Sequence, residues 1–389
     1  MRYNGLDVFR GVAMMLIILF HAAVYNFANI HKLDFSNPPI MIIVISFMVL
    51  WGGILIFYSG LINTWMASKR ELWQLKFLFF AGCVYTIFHY LLNMIFGRWS
   101  VDFVNNRPDL TAVASSIRSG ALSFPHVAKL FEGSSLSTIG INLIVLSAVL
   151  YLLFRNGGIN KEKRNYWILG ASGVFIMLIS FTRVHLYPMF DASIITNFLL
   201  ANPYPLLPYL SYGLIASMFG LMLYFNRKDL LKWVGLPLGL FFLVYGVIGC
   251  MNFEKTISTP DYFWYFKTQM ELGLFMLGTL AVLFFIDFKG KELKSLTFIK
   301  YFSWVSLTVY MLETLVSEVF GKALSYVLPS WNQTINGCLL FGAGMIVVWI
   351  GILALWSRVN FKYSLEYWWA VVFSKWGKSS TKRVDSKQQ

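Results

Sequence analysis

Three polar side chains interrupt the first apolar segment of the chain, and their types suit acid–base chemistry. Asp7, Arg10 and His21 lie among mostly apolar residues. At about 100° and 1.5 Å per residue, a helix places all three on one stripe, with Asp7 and His21 roughly 21 Å apart along its axis and Tyr25 one turn further. An imidazole can remove a proton from a hydroxyl or an amine, or accept a group itself. His21 is therefore the leading catalytic candidate.

Each of these residues also has a structural interpretation. His21 could instead form a hydrogen bond between helices, and the sequence favours neither role. Asp7 and Arg10 stand three residues apart, a spacing at which a carboxylate and a guanidinium can pair on one helix. By spacing alone, that local pair is the favoured interpretation. Gly11 beside them would permit close helix packing.

Composition indicates where this helix lies. Of 389 residues, 58% are hydrophobic and 18% are aromatic, and the mean hydropathy is +0.63. The net charge of +14 does not predict nucleic-acid binding, because the Lys and Arg residues fall in short loops between apolar segments. The chain is predicted to be an integral membrane protein. An ionisable side chain inside a membrane helix is costly to expose to lipid, so the polar stripe should face the protein interior.

The apolar segments predict an all-α, polytopic integral membrane helical bundle. At roughly 20 apolar residues for each crossing of the bilayer, the chain has about ten transmembrane helices. Most of the 32 Lys and Arg residues lie on one side of these spans, which also carries both termini. The positive-inside rule therefore predicts cytoplasmic termini and a multi-pass protein of the cytoplasmic membrane. The spans lie near residues 8–30, 40–63, 74–97, 137–154, 166–182, 204–225, 233–252, 266–287, 298–320 and 334–357.

The domain organisation is predicted to be simple. One transmembrane domain, 1–373, precedes a basic cytoplasmic tail, 374–389, that we expect to be disordered. The first apolar segment lacks a signal-peptidase pattern and carries His21 in its middle, so we interpret it as a helix of the mature protein. No P-loop, dinucleotide fingerprint or zinc-protease motif is present in the sequence. The three cysteines show no C-x-x-C spacing, and neither a disulfide framework nor a metal site is predicted.

Other polar residues fall within predicted spans. One polar stripe repeats every four residues, at Tyr85, His89 and Asn93. These side chains either line the same cavity as His21 or form hydrogen bonds between helices, and we slightly favour the interhelical role. Lys267 and Glu271 resemble a local ion pair near the outer boundary. Glu313 lies in the middle of its span and needs a partner, for which His21 is a candidate. A carboxylate that orients an imidazole is a recurrent catalytic arrangement.

Four sequence segments resemble one known superfamily. The segment Leu-Asp-Val-Phe-Arg-Gly-Val-Ala at 6–13, with the apolar run to His21, resembles the opening of the transmembrane acyltransferase superfamily. Ser59-Gly60, the Ser-Leu-Thr-Val-Tyr segment at 306–310 and the Tyr-Ser-Leu-Glu-Tyr-Trp-Trp segment at 363–369 resemble later motifs of it. The last segment is most similar to that of an uncharacterised bacterial membrane-protein branch, which usually has Asn at the position of His21. The acyltransferase-3 branch has His there, and heparan-alpha-glucosaminide N-acetyltransferase-like proteins form a third branch.

The resemblance implies a reaction. An acyl group, often acetyl, would pass from cytoplasmic acyl-CoA to a hydroxyl or amine of an envelope carbohydrate or a lipid-linked sugar at the outer side. Acyl-CoA would be a co-substrate, with no bound cofactor. His21 would be the base or a transient acyl carrier, above a donor site shaped by Asp7 and Arg10. The predicted site comprises catalytic His21 and Glu313, donor-binding Asp7 and Arg10, and cavity-lining Tyr25, His89 and Asn93.

Two other functions stay open at this point. The chain could be a non-enzymatic membrane carrier of a small or lipid-linked solute, with His21 and Glu313 as a proton relay. It could also be a scaffold for envelope assembly, in which case His21→Ala would leave the phenotype intact. An enzyme should bind CoA from the cytoplasmic side, whereas a carrier should not. The predicted partners are acyl-CoA, the sugar acceptor and the lipid bilayer, without nucleic acid, and a homodimer stays open.

Overall fold

The fold is all-α, as predicted. A computed structural model describes residues 3–24, 26–29, 50–95, 101–102, 107–108, 113, 116–117, 120–122, 134–190, 199–200, 204–253 and 260–372. Within these ranges a two-residue strand pair, Val101–Asp102 against Arg107–Pro108, is the extent of β-structure. The main helices are α1 (Asn4–Val24), α2 (Ile54–Ala67), α3 (Leu75–Ile95), α4 (Ser135–Phe154), α5 (Glu162–Ile179), α6 (Thr182–Leu186), α7 (Leu206–Tyr224), α8 (Leu236–Asn252), α9 (Tyr262–Val282), α10 (Thr297–Trp304), α11 (Ser306–Val327) and α12 (Ile335–Ser357).

Seven helical segments in the described ranges are long and apolar enough to cross a membrane. The chain is therefore a multi-pass membrane protein. An eighth crossing arises if α5 and the segment Thr182–Met189, bent by 41° from it, form one span. Two further helices are not among the seven. Helix α2 is apolar but has only 14 residues, and α11 has 22 residues but carries three charged ones. The seven segments are Asn4–Val24, Leu72–His89, Ser135–Asn160, Leu206–Tyr224, Lys228–Asn252, Tyr262–Asp287 and Ile335–Ser357.

The helices group into two compact units. The single domain predicted for 1–373 stays a prediction. In the first unit, α1 packs against α10, α11 and α12. In lipid no hydrophobic driving force brings apolar helices together. Membrane helices therefore associate through close packing, which small residues permit. Gly11 meets this need: a Cβ there would lie 2.1 Å from the backbone oxygen of Ile299 in α10. Gly342 of α12 lets the backbone of Leu19 approach in the same way.

The ninth predicted span, 298–320, is divided in the structure. Helix α10 ends at Trp304 and α11 begins at Ser306, because Val305 leaves the helical conformation with φ −122° and ψ 35°. Neither proline nor glycine lies at the break. The polar partners described below hold the helix ends on both sides of Val305.

The second unit contains α2 to α9. Its centre is α7, whose residues are almost all buried and which packs against α2, α4 and α5. Gly60, from one of the resemblance motifs, lies against Gly213 of α7, where a Cβ would be 2.6 Å from a backbone oxygen. Helices α3 and α4 form one further close pair, and α8 and α9 form another.

Candidate functional site

The structure brings His21 and Glu313 together. The Nδ1 atom of His21 lies 2.5 Å from Oε1 of Glu313, and their side chains are 9% and 2% exposed. In this geometry the Nδ1–H donates to the carboxylate, which fixes the tautomer with Nε2 as the basic nitrogen. The pair therefore has the arrangement of a general base with an orienting acid.

Two further polar side chains of α11 lie close to Glu313 along the helix. The hydroxyl of Thr314 lies 3.3 Å from Oε1 of Glu313. One turn from Glu313, Ser317 accepts a hydrogen bond from the Asn26 amide, which follows α1. The second carboxylate oxygen of Glu313 is buried without a hydrogen-bond partner among the described residues. A buried acceptor without a partner is costly, so this oxygen could accept a hydrogen bond from a ligand hydroxyl.

Asp7 and Arg10 both contact the end of α10. Asp7 accepts hydrogen bonds from the Ser303 hydroxyl at 3.2 Å and from the Trp304 indole at 3.3 Å. Arg10 donates to the carbonyl of Ser303. The last carbonyls of a helix lack helical partners and carry partial negative charge, so a guanidinium is stabilised there. Both candidate donor-binding residues thus have a structural role at the junction with α11.

His89 belongs to the second unit. Its Nδ1 lies 2.6 Å from the hydroxyl of Ser134, which also caps the N-terminus of α4. This bond between α3 and the start of α4 matches the interhelical role considered for His89, while its place in a cavity with His21 stays a prediction. Tyr25 lies outside the described residues, and so does the side chain of Asn93. No described group of three His, Cys, Asp or Glu side chains could hold a metal ion.

Two polar arrangements have partners that the sequence did not indicate. The expected ion pair of Lys267 and Glu271 is confirmed, and it is buried, with Nζ 2.6 Å from Oε1. Tyr209 and Tyr212 of α7 donate to the other oxygen of Glu271 at 3.2 and 3.0 Å. The four-residue spacing of Lys267 and Glu271 indicated the pair, but the tyrosines come from a distant segment.

The second unrecognised arrangement involves Glu366. It lies in a segment noted for its resemblance alone, yet its carboxylate binds the first turn of α11, the helix that carries Glu313. The sequence held one indication of this contact, because both partners lie in segments that resemble the superfamily, 306–310 and 363–369. No family model and no curated protein matches this chain.

Proposed function

We propose that the protein is a membrane-bound acyltransferase. It would move an acyl group, acetyl in the simplest case, from cytoplasmic acyl-CoA to a hydroxyl or amine of a cell-envelope sugar or glycolipid. The single observation that carries the proposal is the buried His21–Glu313 pair. An ionisable pair in a membrane helix bundle is retained at a cost, and such residues mark functional sites.

The proposed chemistry uses the two residues in different ways. Nε2 of His21 accepts the proton of the acceptor hydroxyl or amine as its oxygen or nitrogen attacks the thioester carbonyl. A new C–O or C–N bond forms, the C–S bond breaks, and the CoA thiolate leaves. The proton on His21 then returns to the thiolate, which restores the base. Glu313 holds the ring through Nδ1 and stabilises its positive charge during the step.

The donor would enter from the cytoplasmic side. In the proposed topology of ten spans with both termini in the cytoplasm, Asp7 and Arg10 lie near the inner end of α1. The inner segments carry most of the basic residues, and a basic surface attracts the anionic phosphates of CoA. Asp7 and Arg10 are our candidate donor-binding residues. They would bind the donor while also holding the end of α10.

The test is binding of acetyl-CoA and longer acyl-CoAs to the full chain in detergent, by calorimetry, followed by release of free CoA thiol on addition of envelope sugars. We expect Arg10→Ala to weaken binding and His21→Ala largely to spare it. His21→Ala and Glu313→Gln should abolish acceptor-dependent CoA release. His185→Ala is the matched control, because His185 is exposed and bonded to Tyr262 in the other unit.

A second control separates donor binding from folding. Asn4→Ala removes the hydrogen bond from Lys300 to Asn4, another contact between α1 and α10, without changing the charge. It should leave CoA binding intact. Absence of binding to any acyl-CoA, in protein that retains a cooperative thermal transition, would contradict the transferase proposal. Substrate movement coupled to a proton gradient would then favour the carrier.

A further inference from the structure

The C-terminal segment contacts the first turn of α11 through several hydrogen bonds. Glu366 Oε1 accepts from the backbone N–H of Leu307 at 2.6 Å and of Thr308 at 3.4 Å. Its Oε2 accepts from the Thr308 hydroxyl at 2.6 Å. In return, the Thr308 hydroxyl accepts from the backbone N–H of Leu365 at 2.8 Å. Two segments almost 60 residues apart are thus bonded reciprocally.

This arrangement supplies a cap that α11 lacks locally. The first N–H groups of a helix have no helical partner, and a side chain at the N-cap usually accepts from one of them. The N-cap here is Val305, whose side chain offers no acceptor. Glu366 takes that place from outside the helix, and its negative charge lies at the positive end of the helix dipole.

The turn before Glu366 is held in an unfavourable conformation. Asn360, Phe361 and Tyr363 all have positive φ, at 52°, 51° and 69°. Such conformations cost about 1–3 kcal/mol each for residues other than glycine, so surrounding contacts must impose them. Phe361 is buried, and its ring packs between those of Tyr301 and Trp304 of α10. The turn therefore brings Glu366 to α11 at a conformational cost.

We propose that Glu366 is a positioning residue for the His21–Glu313 pair. Glu313 lies seven residues beyond Ser306, about 10 Å along the same helix. Val305 interrupts the helix between α10 and α11, so α10 does not fix the orientation of α11. The rotation of α11 about its axis and its position along that axis then depend on the Glu366 cap. Arg10 and Asp7 hold the other side of the break. The inference rests on the proposed function for its role in catalysis, but the contact it governs can be measured without any reaction.

The first experiment follows the Nδ1–H proton of His21 by NMR in the full chain, labelled at histidine and assigned by its loss in His21→Ala. We expect a downfield resonance that Glu366→Ala shifts upfield and broadens. Glu366→Gln should largely retain it, because the amide oxygen still accepts from Leu307 and Thr308 and the amide nitrogen can donate to the Thr308 hydroxyl. Glu292→Gln, at an exposed carboxylate paired with Lys294, is the control that should change nothing.

Thr308→Val tests the same link more gently, because it removes the shared hydroxyl and keeps the shape of the side chain. We expect a smaller change in the same direction. An unchanged His21 resonance in both Glu366→Ala and Thr308→Val would overturn the positioning role. Equal effects of Glu366→Gln and Glu366→Ala would do so as well, because the proposal depends on the hydrogen bonds.

The activity assay then separates the two proposals. Under the acyltransferase mechanism, Glu366→Ala should lower kcat by about tenfold to a hundredfold with little change in the KM for acyl-CoA, since a misplacement of about 1 Å has effects of that size. Glu366→Gln should restore most of kcat. A shifted resonance in a chain that never releases CoA would contradict the proposed function while supporting the positioning contact.

Discussion

The His21 ring and the Glu313 carboxylate are joined by one short hydrogen bond, 2.5 Å from Nδ1 to Oε1, across 292 residues of sequence. The bond connects α1 to α11, so it is at once a feature of the proposed chemistry and a contact within the first unit. Its stability and its chemistry can be measured separately, because a double-mutant cycle reports the pairwise interaction.

We expect His21 and Glu313 to be energetically coupled. Glu313→Ala should destabilise the protein by about 1–3 kcal/mol, because it leaves a buried imidazole without its acceptor. In the Glu313→Ala background, His21→Ala should lower the free energy of unfolding by much less than it does in the wild type. Unfolding in detergent of the wild type, both single variants and the double variant gives the coupling energy. His185→Ala with Tyr262→Phe is the comparison pair, exposed and bonded at 2.9 Å, and should show little coupling. Additive effects of His21→Ala and Glu313→Ala would contradict the contact.

Gly11→Ala should destabilise the first unit. The new Cβ would lie 2.1 Å from the backbone oxygen of Ile299, so α1 and α10 must move apart. Overpacking of this kind costs roughly 1–3 kcal/mol. Gly344→Ala and Gly351→Ala are matched controls within α12, since nothing lies within 4 Å of a Cβ at either position. They should be neutral or slightly stabilising, because alanine favours a helix over glycine. A thermal transition of Gly11→Ala that matches these controls would argue against the close approach.

The sequence was a good guide where the physical signal is local or chemical. Apolar run length identified membrane helices, and the rule that a buried carboxylate needs a partner named His21 for Glu313. Gly11 was expected to permit close packing for a similar reason, since small residues let membrane helices approach.

It was a poor guide where the partner is distant in the chain. No proline or glycine marks the break at Val305 in the sequence, and the side chains that bind the helix ends beside it, Asp7, Arg10 and Glu366, come from distant segments. The local pair of Asp7 and Arg10 expected from their spacing stays a prediction, and their contacts with Ser303 and Trp304 could not be read from periodicity. The tyrosines around Glu271 were missed for the same reason.

Breaking the Lys267–Glu271 pair should cost more than replacing it. Lys267→Met leaves a buried carboxylate held only by tyrosine hydroxyls, and loss of one partner of a buried pair costs about 3–5 kcal/mol. The double variant Lys267→Met/Glu271→Gln should recover most of this, since the glutamine oxygen still accepts from Tyr209 and Tyr212. Thermal unfolding of the single and double variants tests the expectation. A double variant less stable than Lys267→Met would show that the cluster needs its charge.

Glu366 should make stability depend on pH in a direction fixed by its burial. Partial burial raises the pKa of this carboxyl above its ordinary value near 4.5, against the opposing effect of its hydrogen bonds. Above the unfolded pKa the folded state then binds more protons than the unfolded state, so this group's contribution to stability falls as pH rises through the folded pKa. Glutamine cannot ionise and keeps most of the cap. The thermal midpoint of Glu366→Gln minus that of the wild type should therefore become more positive from about pH 4 upward and level off once the folded carboxyl is ionised. Glu292→Gln, at an exposed site, should give a difference that changes little over the same range. A Glu366→Gln difference that falls with pH would mean that the hydrogen bonds outweigh burial and that the cap works best as a carboxylate.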